Sequence, residues 1–271
     1  MNAPTNRLNT DDWDRHWSEH AAMNALNPAQ AYRRTLIFNA LDLRHAAAPV
    51  RVLEIGSGQG EMSSEIARLH PTAELLGIDL SHTGIAIAQS KVPNGHFFQQ
   101  DLRLPLALPQ RFHGWATHAV CSEVLEHLDD PALCLRNARA CLAPGATLVI
   151  TVPAGPISAF DRHIGHREHF TQARLEQVLL DAGLEVDHVH GSGFPFFNLY
   201  RLTVVARGRR LIDDAGGELP PAARAAMWAF SRLFRFNQVG GSRGWQLLAV
   251  AREPMNSSAR SSAQATGAQQ S

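Results

Sequence analysis

The stretch RVLEIGSGQGEMSSEIARLHPTAELLGIDLS, residues 51–81, limits the possible folds more than any other part of the chain. A short apolar run meets three spaced glycines, an amphipathic segment begins near Glu61, and a second apolar run ends on Asp79. That order reads as strand, turn, helix and strand, the unit of a parallel sheet with helices on its faces. Gly56, Gly58 and Gly60 let the backbone turn tightly and let a ligand approach without a Cβ in the way, while the helix after them points N–H groups into the same space. Asp79, 19 residues beyond Gly60, ends the second strand where an acid accepts hydrogen bonds from ribose hydroxyls in dinucleotide folds. The spacing is G-x-G-x-G with Glu54 two residues ahead, and a carboxylate there faces a cationic ligand more comfortably than a pyrophosphate. A ribose-bearing ligand is expected.

The alternation continues past this unit. RVLEI, AELLGID, GHFFQQD, WATHAVC, ATLVITVP, LEVDHVHG and GWQLLAVAR read as short strands, and a helix is expected at about 171–182. Residues 11–45 read as N-terminal helices interrupted at Pro28, and 191–244 as a long insertion before the last strand. A chain of 271 residues, 45% of them apolar, suits one domain over 11–253. The polar, non-periodic ends 1–10 and 254–271 are expected to be disordered. Lys plus Arg equals Asp plus Glu at 25 each, so overall charge makes no case for nucleic acid or a membrane surface. Cys121, Cys134 and Cys141 form no CxxC pair and sit in apolar segments, as reduced thiols of a cytoplasmic protein would. The N-terminus has no apolar signal segment, and no stretch nears the roughly 20 apolar residues of a membrane span.

E-x-G-x-G-x-G from Glu54 to Gly60, then GIDLS, QQDL, SEVLEHLDDP and LAPGATLVITVP in that order, resemble the class I S-adenosylmethionine-dependent methyltransferases. Within them the chain resembles the group that includes the ubiquinone-biosynthesis O-methyltransferases. The resemblance covers about 50–190 and returns at the last strand. It implies a Rossmann-like α/β fold with a seven-stranded, mostly parallel sheet whose last strand is antiparallel. It also implies S-adenosylmethionine as cofactor, bound at the turn of Gly56, Gly58 and Gly60, with Gly56 and Gly58 against the methionine part and Glu54 near it. Asp79 would then bind the ribose, Leu80 would pack on the adenine, Asp101 and Leu102 would hold the adenine edge, and Ser122 with Glu123 would lie beside the methyl group.

A sulfonium methyl is already activated, so such an enzyme chiefly aligns a nucleophile and excludes water, and a hydroxyl acceptor must also lose a proton. Glu123, Glu126 and His127 fall at i, i+3 and i+4, one face if that segment is helical. Asp161, His163, His166 and His169 crowd a polar segment after the fifth strand. Three readings stand. His127 or His166 is a metal-free general base; or Glu123, Glu126, His127 and His166 hold a divalent ion such as Mg²⁺, Mn²⁺, Fe²⁺ or Zn²⁺; or EVLEH is a fold signature only. EVLEH with a distant HREHFT is similar to the metal-binding pattern of the small-RNA 3′-terminal 2′-O-methyltransferases, but the second element is only partly matched, which disfavours RNA as substrate.

The insertion interleaves apolar and aromatic residues with arginine. From Arg201 to Glu253 there are nine Arg and no Lys against four acids. It is expected to be a helical lid with Phe194, Phe196, Phe197 or Tyr200 lining a substrate pocket; the alternatives are a satellite aromatic core, or docking on a membrane surface or an acidic carrier protein. The function expected is methyl transfer to a small-molecule acceptor, by preference O-methylation, with N- and C-methylation open. An NAD-dependent oxidoreductase and a catalytically silent cofactor-binding protein are the disfavoured rivals.

Overall fold

The computed structural model describes residues 13–14, 27–47, 49–208 and 220–255. Five strands, β1 (Arg51–Ile55), β2 (Glu74–Asp79), β3 (His96–Gln99), β4 (Ala116–Ser122) and β5 (Leu142–Pro153), run parallel, joined by crossovers. They are followed by β6 (Glu185–Phe194), β7 (Gln238–Gly241) and β8 (Gln246–Arg252). The sheet order is β3-β2-β1-β4-β5-β8-β6-β7, with β8 antiparallel to both β5 and β6 and β7 antiparallel to β6. Chain order reverses between β1 and β4, so their carboxyl ends diverge and open the crevice where α/β sheets bind ligands.

The helices are α1 (Pro28–Leu41), α2 (Glu61–Leu69), α3 (His82–Lys91), α4 (Pro131–Ala138), α5 (Ala159–His163), α6 (Gln172–Asp181), α7 (Phe196–Arg207) and α8 (Pro221–Leu233). Their starts follow capping chemistry. Asn27, Ser81, Asp130, Ser158 and Thr171 each accept a first-turn N–H, and Pro28 and Pro131 fill the position that needs no donor. Successive strand side chains point to opposite faces, which gives two cores. Leu53, Leu76, Ala119 and Leu148 pack with α4 and α6 on one face, whereas Val52, Leu75, Val120 and Val149 pack with α1 and α2 on the other.

The sheet has eight strands rather than the seven expected from sequence. The extra one, β7, is a four-residue strand inside the insertion, too short to show a period of two. The insertion is therefore mixed: β6 runs into it, α7 and α8 form its helices, and β7 returns it to the sheet edge. Phe197 and Phe234 are buried and pack with Tyr32, Tyr200 and Phe230, so these aromatics build the satellite core. Among the described residues no helix is long and apolar enough to cross a membrane. The ends expected to be disordered lie outside the described residues, apart from Pro254 and Met255.

Candidate active site

The β1–α2 turn is built by its glycines. Gly56 has φ +72, and a Cβ there would meet Val124 Cγ2 at 2.3 Å, so the turn can close against the β4 loop only with glycine. Its N–H and that of Ser57 donate to the Ile78 carbonyl at 2.8 and 3.0 Å, binding the turn to β2. Asp79 is held from both sides: Gly58 N–H donates to Oδ2 at 2.7 Å and Ser81 N–H to Oδ1 at 2.8 Å. Burial raises the Asp79 pKa, and these hydrogen bonds oppose the shift.

Above the turn lies an open cleft with a cavity volume of about 120 Å³. Gly56, Asp79, Leu80, Asp101, Leu102 and Glu123 line it, together with His127. The other expected cofactor residues are oriented differently. The Glu54 carboxylate is buried, accepts from Ser63 N–H at 3.1 Å and from Ser63 Oγ, and so staples α2 to β1 instead of facing the cleft. Burial pushes its pKa up to about 8, against those hydrogen bonds. Gly58 turns its N–H to Asp79, Gly60 packs on Ala88, and Ser122 Oγ pairs with Thr151 Oγ1 at 2.9 Å. Asp101 is bound by Arg103, whose Nε and Nη2 lie 2.9–3.1 Å from its oxygens, which holds its pKa down.

The segment after β4 is not the helix that the i, i+3, i+4 spacing suggested. Glu123 is left-handed, with φ +57, and Leu125–His127 is a single 3₁₀ turn. The three side chains therefore do not share a face, and Glu123 leaves the expected metal set. Its Oε1 accepts from Gln246 Nε2 at 2.9 Å, and its Oε2 pairs with Arg33 Nη1 at 3.2 Å. What converges is Glu126, His127 and His166, whose ligand atoms lie within 4.8 Å of one another. Glu126 Oε1 is 4.0 Å from His127 Nε2 and 4.0 Å from His166 Nε2. Glu126 is 0% exposed, and neither carboxylate oxygen has a hydrogen-bond partner among the described residues. Burial first, then the Glu123 carboxylate, drives its pKa well up, with Arg33 opposing. The two imidazole rings meet edge to face at 4.7 Å. His163 is exposed and lies outside this cluster and outside the second group of close ligand atoms, Asp161, His166 and His169.

Sequence reasoning missed several contributors. Trp13 lines the cleft and meets the His127 ring at 4.7 Å, while Asp14 accepts from Ser81 Oγ at 2.5 Å and Thr83 N–H at 2.8 Å, which fixes residues 13 and 14 beside the cleft. Arg167, on the loop that carries His166, also lines it. Arg33 and Arg201 reach acids far away in sequence, for which no local signal exists.

Comparison with known proteins agrees with this geometry. A family model for a methyltransferase domain matches residues 27–189. An uncharacterised protein of Synechococcus is 36% identical over 110 residues, which span 38% of this chain and 25% of that protein. The ubiquinone biosynthesis O-methyltransferase of Xanthomonas euvesicatoria is 26% identical over 209 residues, covering 70% of this chain and 84% of the relative. Among solved structures, the N-methyltransferase NodS of Bradyrhizobium japonicum, in complex with S-adenosylhomocysteine, superposes with a TM-score of 0.50 at 18% identity, over 84% of this chain and 89% of that one. With the family match spanning more than half the chain on an α/β sheet whose crevice opens at a glycine turn, the protein belongs to the methyltransferase-domain family as a class I S-adenosylmethionine-dependent methyltransferase.

Proposed function

We propose that the protein methylates a hydroxyl of a small-molecule acceptor, with a divalent ion at Glu126, His127 and His166 assisting the transfer. The observation carrying this reading is the Glu126 carboxylate, fully buried and unpartnered among the described residues while two imidazole nitrogens face it at 4.0 Å. That gap is too wide for a hydrogen bond. Two ligands each about 2.1 Å from a shared tetrahedral ion lie about 3.4 Å apart, so each Glu126–imidazole pair needs to contract by about half an ångström to share one. One carboxylate and two imidazoles suit Mn²⁺, Fe²⁺ or Zn²⁺ better than Mg²⁺. Such an ion, when bound, lowers the pKa of a coordinated hydroxyl.

The remaining work falls to the chain itself. Asp79 keeps spare lone pairs for ribose hydroxyls, Leu80 and Leu102 offer apolar walls for adenine, and Asp101 can accept from its amino group. Gly56 allows the methionine half to lie close to the backbone. His127 spans the two halves, since it lines the cleft and also belongs to the buried cluster. The name of the Xanthomonas relative favours an oxygen acceptor. The test is calorimetric titration with S-adenosylhomocysteine, paired with elemental analysis of the untreated protein. Binding together with near-stoichiometric metal that Glu126→Gln abolishes is the expected result. Binding without metal in the parent protein leaves His127 as a general base and removes the ion.

The insertion supports a peripheral contact as well. Leu199, Leu202, Trp228, Phe236 and Val239 are exposed, and residues 196–208 and 220–244 contain six Arg and no Asp or Glu. Arg232 stacks on Trp228 at 5.3 Å. We infer contact with an anionic lipid surface. Cosedimentation with phosphatidylglycerol vesicles but not phosphatidylcholine vesicles is expected, and equal recovery from both would sink the idea.

A further inference from the structure

Residues 13 and 14 are more than forty positions from the glycine turn, yet two separate contacts fix them at the cleft. Asp14 Oδ1 accepts from Ser81 Oγ at 2.5 Å and from Thr83 N–H at 2.8 Å. Ser81 is the N-cap of α3, and its Oγ accepts the Gly84 N–H at 2.9 Å while its own proton goes to Asp14. A carboxylate at this end of α3 meets the positive pole of the helix and takes a first-turn N–H that the helix itself leaves unsatisfied. The Ser81 hydroxyl, then the Thr83 N–H, hold the Asp14 pKa below the ordinary aspartate value, so it is the charged carboxylate that docks. The same serine serves the cofactor side. Its N–H donates to Asp79 Oδ1 at 2.8 Å, so the acid read as the ribose ligand and the acid that anchors the N-terminal residues share one partner.

Trp13 is half-buried and lines the cleft with Gly56, Asp79, Leu80 and Leu102. Its ring meets His127 edge to face, with centroids 4.7 Å apart and planes at 90°. An indole that walls an open cleft keeps part of its apolar surface in water until a ligand fills the space, and burying that surface favours the bound state. Trp13 and Asp14 both precede the stretch 27–189 matched by the methyltransferase-domain model, so the shared domain does not supply this wall.

We infer that Trp13 is a cofactor-binding residue, a wall of the S-adenosylmethionine site, and that Asp14 is its positioning residue, acting by docking on Ser81 and Thr83. The inference rests on the reading of this cleft as the cofactor site. It gives the chain before α1 a part in retaining the cofactor, beyond what the glycine turn and Asp79 supply.

The test uses the full-length chain and S-adenosylhomocysteine, with affinity from calorimetry and dissociation from stopped-flow tryptophan fluorescence. Trp13→Ala is expected to weaken binding by about 10-fold, mostly through faster dissociation, with the melting temperature unchanged. Trp13→Phe, which keeps an aromatic wall, is expected to retain most of the affinity and to lose the fluorescence change that Trp13 reports on binding. A fluorescence change of the same size in the parent and in Trp13→Phe overturns the contact. Asp14→Ala is expected to weaken binding by about 3- to 10-fold, and Asp14→Asn, whose Oδ1 can still accept from Ser81 and Thr83, to restore it. In the Trp13→Ala background, Asp14→Ala is expected to cost nothing more. An equal cost in both backgrounds would mean that Asp14 acts on the ribose site through Ser81, and overturns its positioning of Trp13. Asp79→Ala is the reference variant. Affinity lost in Asp79→Ala but kept in Trp13→Ala overturns the inference and leaves the cleft as the cofactor site, whereas affinity kept in both overturns the inference together with that reading.

Discussion

Two acids at the ends of the strands that flank β1 meet opposite fates. At the end of β2, Asp79 sits in a turn that supplies two backbone N–H groups, one to each oxygen. After β4, Glu126 is buried more deeply and has no hydrogen-bond partner among the described residues. The first half of the crevice is completed by the chain's own backbone, so it is organised before any ligand arrives. On the reading proposed above, the second half is completed by a bound ion. Proteins tolerate an unsatisfied buried acid at such cost only where something else offsets it.

That contrast can be broken in order of expected effect. Replacing Glu126 by Leu should lower methyl transfer from labelled cofactor to a panel of phenols and catechols by at least about 100-fold. The same variant should melt at or above the parent temperature, because an apolar side chain removes the desolvation cost of a lone buried carboxyl. A large drop in melting temperature would show that Glu126 is satisfied in the folded protein and would falsify the contrast. Next in size is a pH effect at Glu54, whose folded pKa of about 8 exceeds that of an unfolded glutamate. Its folded form binds the extra proton, so its contribution to stability is intact below the unfolded pKa and is lost as pH rises through about 8, by the order of a few kcal/mol. Melting curves of the parent and Glu54→Gln at pH 5 and pH 9 should converge at the acid end and favour the variant at the alkaline end.

Gly56→Ala should cost about 2 to 3 kcal/mol of stability, since a methyl group must displace Val124 and the residue keeps φ +72. Chemical denaturation measures this, and a loss under about 0.5 kcal/mol would mean that the turn yields. Asp79→Ala should weaken S-adenosylmethionine binding by about 1 to 3 kcal/mol in calorimetry, a smaller loss because the flanking N–H groups can turn to solvent or cofactor. Unchanged affinity would remove the ribose assignment.

The β1–α2 turn and the Asp79 strand end were legible in the sequence because their devices are local. Glycines, an acid at a strand end and a capping serine each announce a conformation within a few residues. The segment after β4 was only partly legible. Five residues of EVLEH cannot distinguish an α-helix from a left-handed residue followed by a 3₁₀ turn, so Glu123 was grouped with Glu126 although it turns to Arg33 and Gln246. Those partners lie 90 and 123 positions away, and Arg201 lies 40 from Asp161, separations at which only the folded sheet brings side chains together. His166 was found because histidines crowd its loop. Trp13 had no signal beyond being an aromatic residue in a polar segment.

The sheet tapers from a twelve-residue β5 at its centre to four residues at each rim, β3 on one side and β7 on the other. β7 finishes on Gly240 and Gly241, with φ +87 at the first. An exposed strand edge is a template on which another chain can add a strand, and its reach depends on the length of regular backbone on offer. Two short rims, one ending in a kink, give a second copy almost nothing to extend. The insertion thus blunts one of the two edges at which edge-to-edge polymers could grow.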